Sequence, residues 1–599
     1  MKIDRRQQWL TRRGMLLTLF MTLPFTILLI RLYMLQVVAG QKYRRLSDEN
    51  RFSLRLIMPE RGVLRDRRNQ PIAMNQRAFR LVLVPERCPD PKTVLARLGG
   101  LVRLDAGQQA VLLKRIRQNP SFLPVTVRDV LTFEEVARVQ VNLPNLPGVD
   151  IDQNLVRNYP YGALFAHTVG YIGAPDPKML QESADPLLRL PDFRHGRKGL
   201  EQRFDPELRG RAGTLQVEVN AYGREVREVA RVPEEKGQDV RLALDLELQR
   251  HIYDEMGEHT GGALVMDLKT GALLAVVNKP GFEPNSFIRG LTGDEWRDLR
   301  VSTERPFLNR CLQGLYAPGS TFKMLVALAA LEEGVAKPEE VIRCPGFMQF
   351  GNRRFHCWED KGHGGMDLRQ SVVHSCDIYY YELGRRLGVD RITAYARRFG
   401  LGSTVPFELQ NENGLMPTRE WKRKRFRQPW VGGEDLISAI GQGYLQTTPL
   451  QLLVMTARLA TGQMMLPTVL PFAPQSSYEP LGFKESHLEL MRRAMYDVVN
   501  TPGGTAYRSR SAEVKLAGKT GTSQVVSKRH DRKAKLESIV REERTNAMFV
   551  GFAPYDAPRV AVSVALEHAG HGSQSAAPLA CDAMLFALKR LQEEETPSG

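Results

Sequence analysis

An apolar, uncharged run from Met15 to Ile30, carried past Arg31 by Leu32, Tyr33, Met34, Leu35, Val37 and Val38, constrains this chain more than any other stretch. Counted to Val38, it is long enough to cross about 30 Å of hydrocarbon as one helix. Inside hydrocarbon a single segment satisfies its own backbone only as a helix, which tolerates Pro24, and Arg31 can extend toward the far interface. Residues 1–14 carry Lys2, Arg5, Arg6, Arg12 and Arg13 against Asp4, a balance that favours an inside N-terminus, although Lys42, Arg44 and Arg45 follow on the other side. Val37-Val38-Ala39 also fits a signal-peptidase site. The run is longer than a usual leader core, which favours an uncleaved anchor at 15–38. Everything beyond about residue 40 is then expected outside the membrane, in the periplasm or at the cell exterior.

At 599 residues the chain needs more than one core. A net charge of +17 suits an anionic partner, and the membrane run makes nucleic acid the least suitable one. Six cysteines are too few for a disulfide scaffold, and three of them, Cys344, Cys357 and Cys376, fall close together.

Residues 39–236 are interrupted by Pro and Gly and hold no nucleophile with a base beside it. Arg80 to Pro85 predicts a strand, and Asp90 to Leu98 and Asp105 to Arg117 predict short helices separated by a break at Gly99-Gly100. Arg61-Gly62, Asp66, Gly199 and Glu201-Gln202 suit packing and turns, so this part is expected to be a pedestal. Strand signals sharpen at Asp239 to Leu244, and a helix is expected from Leu246. Gly262 to Asp267 and Ala272 to Val277 form a predicted hairpin, and strands at Ala547 to Phe552 and Val560 to Ala565 precede a helix from about Ala576. A second domain, 237–599, is therefore expected to be an α/β (α+β) fold. The charged run Lys528 to Arg544 predicts a solvated excursion.

In Tyr316-Ala317-Pro318-Gly319-Ser320-Thr321-Phe322-Lys323 a turn delivers Ser320 to the start of an apolar helix, Phe322 to Leu331. Helical pitch places Lys323 on the face of Ser320. A serine hydroxyl becomes a nucleophile when a neighbouring base takes its proton, and a desolvated lysine can be that base. By itself the pair equally fits a helix cap and a solvated lysine. Downstream stand Ser375-Cys376-Asp377 and then Lys519-Thr520-Gly521-Thr522, the latter opening a strand-like run through Val525-Val526. Ser-x-x-Lys, a Ser-x-Asn-type element and Lys-Thr-Gly, in that order, form the signature of penicillin-binding proteins and class A β-lactamases.

The chain resembles class B penicillin-binding proteins, in particular their elongation-specific subgroup, over nearly its whole length. Beyond the three motifs, the resemblance is carried by Pro59 to Arg67, Asn158-Tyr159-Pro160-Tyr161-Gly162, Gly199 to Gln202, Met416 to Trp421 and Gly441-Gln442-Gly443-Tyr444. Asp377, where Asn is usual in the superfamily, is expected of this subgroup.

The resemblance implies an antiparallel sheet flanked by helices and a D,D-transpeptidase. In that chemistry Ser320 attacks the D-Ala-D-Ala carbonyl of a peptidoglycan stem peptide, and Lys323 accepts its proton. Ser375 relays a proton to the leaving amine, and Asp377 orders Lys323 and the substrate amide. Lys519, Thr520 and Thr522, with Gly521 between them, hold the terminal carboxylate, and the N–H groups of Ser320 and Thr522 form the oxyanion hole. β-Lactams would acylate the same serine. The implied partners are a RodA-like SEDS glycosyltransferase and an MreC-like scaffold. A β-lactamase or a β-lactam sensor of the same fold are the alternatives.

Cys344, Cys357, His363 and Cys376 make a Cys3His set suited to tetrahedral zinc, with Asp360, Asp367, His356 and His374 as substitute ligands. A Cys344–Cys357 disulfide is the competing expectation in an oxidising compartment. Related Gram-negative proteins carry structural zinc in this stretch, with aspartates at the positions registered here as Cys344 and Cys357. The resemblance therefore implies zinc.

Overall fold

Continuous apolar runs, not alternating ones, build the central sheet. In a computed structural model that describes residues 5–39, 41, 52–190, 192–220, 225–471, 478–523 and 544–595, Gly261–Asp267 and Val560–Leu566 are buried at every position. Five strands lie in the order Leu273–Lys279, Gly261–Asp267, Val560–Leu566, Asn546–Ala553, Ala517–Ser523, all antiparallel. The expected hairpin forms, with Gly261 opposite Lys279. Helices Pro449–Thr461 and Ala576–Glu595 pack on this sheet and Glu485–Asn500 on its Ala517–Ser523 edge, so both sheet and helices read as apolar stretches.

The chain forms two compact units. One comprises 1–60, 185–190 and 210–237. It holds the helix Arg5–Tyr33, which continues as a π-helical turn through Val38, and a three-stranded antiparallel sheet, Phe52–Ile57, Gly213–Val219 and Glu225–Val232. Phe20–Val38 is long and apolar enough to cross a membrane and is wholly unburied. The other unit comprises 61–184, 191–209 and 238–599, with the five-stranded sheet and every predicted site residue.

Several local expectations need correction. The strand at Arg80 begins at Pro71 and runs to Leu83. Gly99-Gly100 does not break a helix but lies inside Pro91–Val102, which ends at Arg103 in the left-handed region. A Cβ on Gly99 would stand 2.7 Å from Gln109 Nε2, so glycine serves there as a close approach to the next helix, Ala106–Gln118. Of Asp239 to Leu244 only Val240–Arg241 pairs, in parallel with Leu64–Arg65. Leu242 and Leu244 are buried as core residues outside any strand. Val525-Val526 and the charged run up to residue 543 lie outside the described residues.

The packing role expected for Arg61 and Glu201 has a specific form. Glu201 is fully buried, and its carboxylate accepts Arg61 Nε at 2.8 Å and Arg157 Nε at 2.6 Å. Arg61 also reaches Asp205 at 2.8 Å, and Arg157 Nη1 donates to the Gly62 carbonyl at 2.7 Å. Burial alone would raise the Glu201 pKa, but Arg157 and Arg61 bring it below the ordinary glutamate value. Removing one member strands buried charge, so Glu201→Ala is expected to lower stability by about 3–5 kcal/mol in chemical denaturation. Because the folded pKa is lowered, this contribution is present above the unfolded value near 4.3 and is lost as pH falls through the folded one. Equal stability of variant and parent at neutral pH would refute the assignment.

Candidate active site

The turn at Pro318 leads Ser320 into a short 3-10 segment, Gly319–Phe322, which passes directly into the helix Lys323–Glu332. Three residues make one such turn, so Ser320 and Lys323 stack on one face. The helix is buried from Lys323 to Leu331. Gly319 has φ +55°, and a Cβ there would lie 2.7 Å from the Thr522 carbonyl oxygen. From the opposite side, a Cβ on Gly521 would lie 2.8 Å from Thr321 Cγ2. Glycine at both positions lets the serine turn touch the strand Ala517–Ser523, which brings the first and third motifs together.

The second motif closes the group. Lys323 Nζ donates to Asp377 Oδ1 at 2.7 Å, to the Ser375 carbonyl at 2.8 Å and to Ser375 Oγ at 3.2 Å. Lys519 Nζ donates to the same Ser375 Oγ at 3.1 Å and to the Thr520 carbonyl at 3.0 Å. One hydroxyl therefore bridges two fully buried amines. Lys519 has no carboxylate of its own, and burial, then repulsion from Lys323, holds it well below the ordinary lysine range against the pull of Asp377. Ser375 sits at φ +54°, a left-handed conformation that costs a non-glycine residue about 1–3 kcal/mol and recurs at functional sites. The Ser320 hydroxyl is half-buried and makes no hydrogen bond among the described residues. Thr520 Oγ1 lies 2.8 Å from Thr505 Oγ1, and Thr522 Oγ1 accepts the Gly572 N–H at 3.4 Å.

Beside this group, Cys344, Cys357, His363 and Cys376 bring four donor atoms within 4.8 Å of one another. His363 Nδ1 is 3.6 Å from Cys344 Sγ and 3.4 Å from Cys357 Sγ. All six cysteines are free thiols. Cys357 is held well below the ordinary thiol range by a hydrogen bond from Cys376, which with one from His363 outweighs burial. The substitute ligands Asp360, Asp367, His356 and His374 fall outside the group. Asp367 instead caps the helix Leu368–Val373.

Residues 261–585 match the penicillin-binding protein transpeptidase domain, and residues 56–242 match the penicillin-binding protein dimerisation domain. The chain belongs to the penicillin-binding protein transpeptidase family. It is 33% identical to the peptidoglycan D,D-transpeptidase MrdA of Haemophilus influenzae over 98% of this chain and 93% of that protein. Among solved structures it is similar to the penicillin-binding protein PBP2 of Helicobacter pylori, solved in complex with MreC. That match has a TM-score of 0.77 and 28% identity over 90% of this chain and 99% of that one. It is also similar to a chain of a peptidoglycan synthase complex that coordinates polymerisation and crosslinking, with a TM-score of 0.69 and 27% identity over 96% and 97% of the two chains.

Two residues of this penicillin-binding protein site lie outside the three motifs. The Trp358 N–H donates to Asp377 Oδ2 at 2.9 Å, while its indole donates to the His374 and Ser375 carbonyls at 3.0 Å each. Gln442 Nε2 donates to the Thr522 carbonyl at 3.1 Å, and the Gly319 N–H donates to the Gly441 carbonyl at 2.9 Å. A tryptophan directly after a metal-type cysteine, and a Gly-Gln-Gly triplet, were the available signals. Trp358→Phe removes the indole N–H that the two carbonyls share, worth about 1 kcal/mol, and is expected to slow penicillin acylation about fivefold with little change in KM. An unchanged rate would remove Trp358 from any positioning role.

Proposed function

We propose that this chain is a peptidoglycan D,D-transpeptidase of cell elongation that cross-links stem peptides through an acyl-enzyme on Ser320 and is a target of β-lactams. The observation that carries the reading is the single Ser375 hydroxyl shared by the Lys323 and Lys519 amines, with Lys323 one helical turn from Ser320. A buried pair of amines short of one proton is a base. Burial and repulsion from Lys323 make Lys519 give up a proton more readily than an ordinary lysine, and Ser375 Oγ can pass the vacancy to Lys323.

Lys323 then takes the Ser320 proton as Oγ bonds to the carbonyl carbon of the penultimate D-Ala. The oxyanion is received by the N–H groups of Ser320 and Thr522. The peptide C–N bond breaks, its nitrogen takes a proton through Ser375, and terminal D-Ala leaves. The amine of a second stem attacks the ester and loses a proton to the same base, an amide forms, and Ser320 regains its hydrogen. Asp377 orients Lys323, and Lys519, Thr520 and Thr522 receive the terminal carboxylate. Ala517–Ser523 is the last strand of the sheet among the described residues, so an extended substrate peptide can add to its edge.

Residues 15–38 anchor the protein in the inner membrane, with the catalytic part in the periplasm. A RodA-like glycosyltransferase supplies the strands, and an MreC-like scaffold binds the pedestal. The MreC-bound relative and the polymerising and crosslinking complex support both assignments.

The Cys344, Cys357, His363 and Cys376 set holds structural zinc. Tetrahedral Zn–S bonds of about 2.3 Å put neighbouring ligands roughly 3.7 Å apart, and the observed sulfur–nitrogen distances are close to that. Bound there, zinc would fix the loop that carries Ser375 and Asp377.

Intact-mass measurement after penicillin treatment tests the reading. One adduct per chain, mapped to Ser320, absent in Ser320→Ala and persisting for many minutes, is expected. An adduct on another residue would refute it, and rapid turnover of the adduct would indicate a β-lactamase.

A further inference from the structure

We propose that Arg423, Arg425 and Arg427, with the rings of Trp421 and Tyr444, form a binding platform for the carboxylate-bearing glycan–peptide strand in which the reacting stem is embedded. The proposal rests on the transpeptidase reading and adds a place for the polymer beyond the scissile peptide.

Charge is the first observation. The helix Arg419–Phe426 and its cap carry seven residues of basic or acidic type whose pairings differ sharply. Glu420 pairs with Lys424 at 2.7 Å, and buried Lys422 pairs with Glu434 at 2.5 Å. Arg419 lies 3.7 Å from Asp390. Arg423, Arg425 and Arg427 are exposed and make no ion pair or hydrogen bond through their side chains among the described residues. Cations in a last helical turn complement the helix dipole, as Arg423, Lys424 and Arg425 do.

Backbone conformation offers a clean probe of one of them. Arg427 caps the helix at φ +58°, the left-handed position where glycine is the unstrained residue, as Arg103 does at the end of Pro91–Val102. Arg427→Gly therefore removes the charge without adding backbone strain.

The rings give the platform a face. Trp421 packs on Tyr444 at 5.3 Å and on Phe426 at 5.6 Å, and Phe426 is 45% exposed. One helical turn from Trp421, Arg425 shares its side of the helix, while Arg423, two positions from each, points to another, so the cations surround the exposed helix end. Exposed guanidinium groups close in sequence to exposed aromatic carbon suit a polymer of sugar rings that bears carboxylates on its peptides.

Location connects the platform to the reaction. Tyr444 follows by three residues Gly441, whose carbonyl binds the Gly319 N–H, and three residues reach at most about 10 Å. On the other side, Phe350 lies 3.0 Å from where a Cβ on Gly432 would stand. Its hairpin, Phe347–Phe350 with Arg353–His356, carries the exposed Arg353 and Arg354 stacked on Phe355 and Phe347.

The test uses the full chain in neutral detergent and, as probe, soluble uncross-linked glycan strands bearing pentapeptides, followed by fluorescence anisotropy. The triple variant R423Q/R425Q/R427Q is expected to weaken binding at least tenfold and to flatten its salt dependence. R427G alone is expected to weaken binding two- to threefold while Tm stays equal or rises, which a purely structural role would not produce. Removing the same charge from the exposed face of Ala106–Gln118, as K114Q/R115Q/R117Q, is expected to leave strand binding within twofold. Equal losses in the two triple variants would reduce the effect to bulk charge and overturn the proposal, as would unchanged binding in the first. A first triple variant that loses anionic phosphatidylglycerol micelles but keeps the strands would assign the platform to lipid instead. If wild-type protein were not acylated by penicillin at Ser320, the transpeptidase reading would fail on its own, whatever the strand-binding result.

Discussion

Lys323→Ala is expected to slow penicillin acylation of Ser320 by about 10²–10⁴-fold, the usual contribution of a positioned base, or about 3–5.5 kcal/mol in the barrier. The size of the effect follows from how many groups the amine serves. Its removal takes away the donor to Asp377 Oδ1, to the Ser375 carbonyl and to Ser375 Oγ together. Ser375 would lose one of the contacts that hold it at φ +54°, so geometry and proton transfer fail at once. Thermal denaturation separates the two, since a loss of rate in a variant with near-normal Tm belongs to the chemistry. The pH profile of the parent provides a second check. Lys519 is held below the ordinary lysine value, so its neutral form appears at lower pH than a free lysine would allow. Acylation should therefore rise with pH and level off well short of about 10.4. A rate within tenfold of the parent in Lys323→Ala, or a profile still climbing at pH 10, would contradict the base assignment.

Protein purified without added metal is expected to contain about one zinc per chain, and stripping it should lower thermal stability and acylation rate together. A ligand held at about 1,000 times its Kd stabilises the folded state by about 4 kcal/mol, which for a unit this large corresponds to no more than about 10 °C in Tm. Coupling to catalysis comes from the chain itself. Cys376 lies between Ser375 and Asp377, the Asp377 N–H donates to Cys357 Sγ at 3.4 Å, and Trp358 follows Cys357 directly. Slack in the cysteine group therefore becomes slack in the hydroxyl that joins the two lysines. Well under one zinc per chain, or a chelated protein that acylates at the original rate, would remove metal from the account.

The three motifs were legible because each is short and carries its chemistry in adjacent residues. The sheet was legible because strands buried on both faces appear as unbroken runs such as Gly261–Asp267 and Val560–Leu566. Gly99-Gly100 misled because glycine marks both breaks and close approaches, and only the nearby Gln109 distinguishes them. Asp239 to Leu244 has the apolar content of a strand, but most of it fills the core instead of pairing. Trp358 and Gln442 act on backbone carbonyls distant in sequence, so the tryptophan after Cys357 and the Gly-Gln-Gly triplet mark their positions without giving their partners.

Among the described residues the sheet stops at Lys519-Thr520-Gly521-Thr522, an edge that asks its visitor to supply the next strand. Recognition through main-chain amides is indifferent to most of what distinguishes one peptide from another, so chemical variety among wall precursors is accommodated without redesign. The same indifference admits impostors. Any rigid amide that presents a carboxylate at the right remove and a strained carbonyl near Ser320 is welcomed as substrate, and mutations that exclude it must also narrow the enzyme's natural diet.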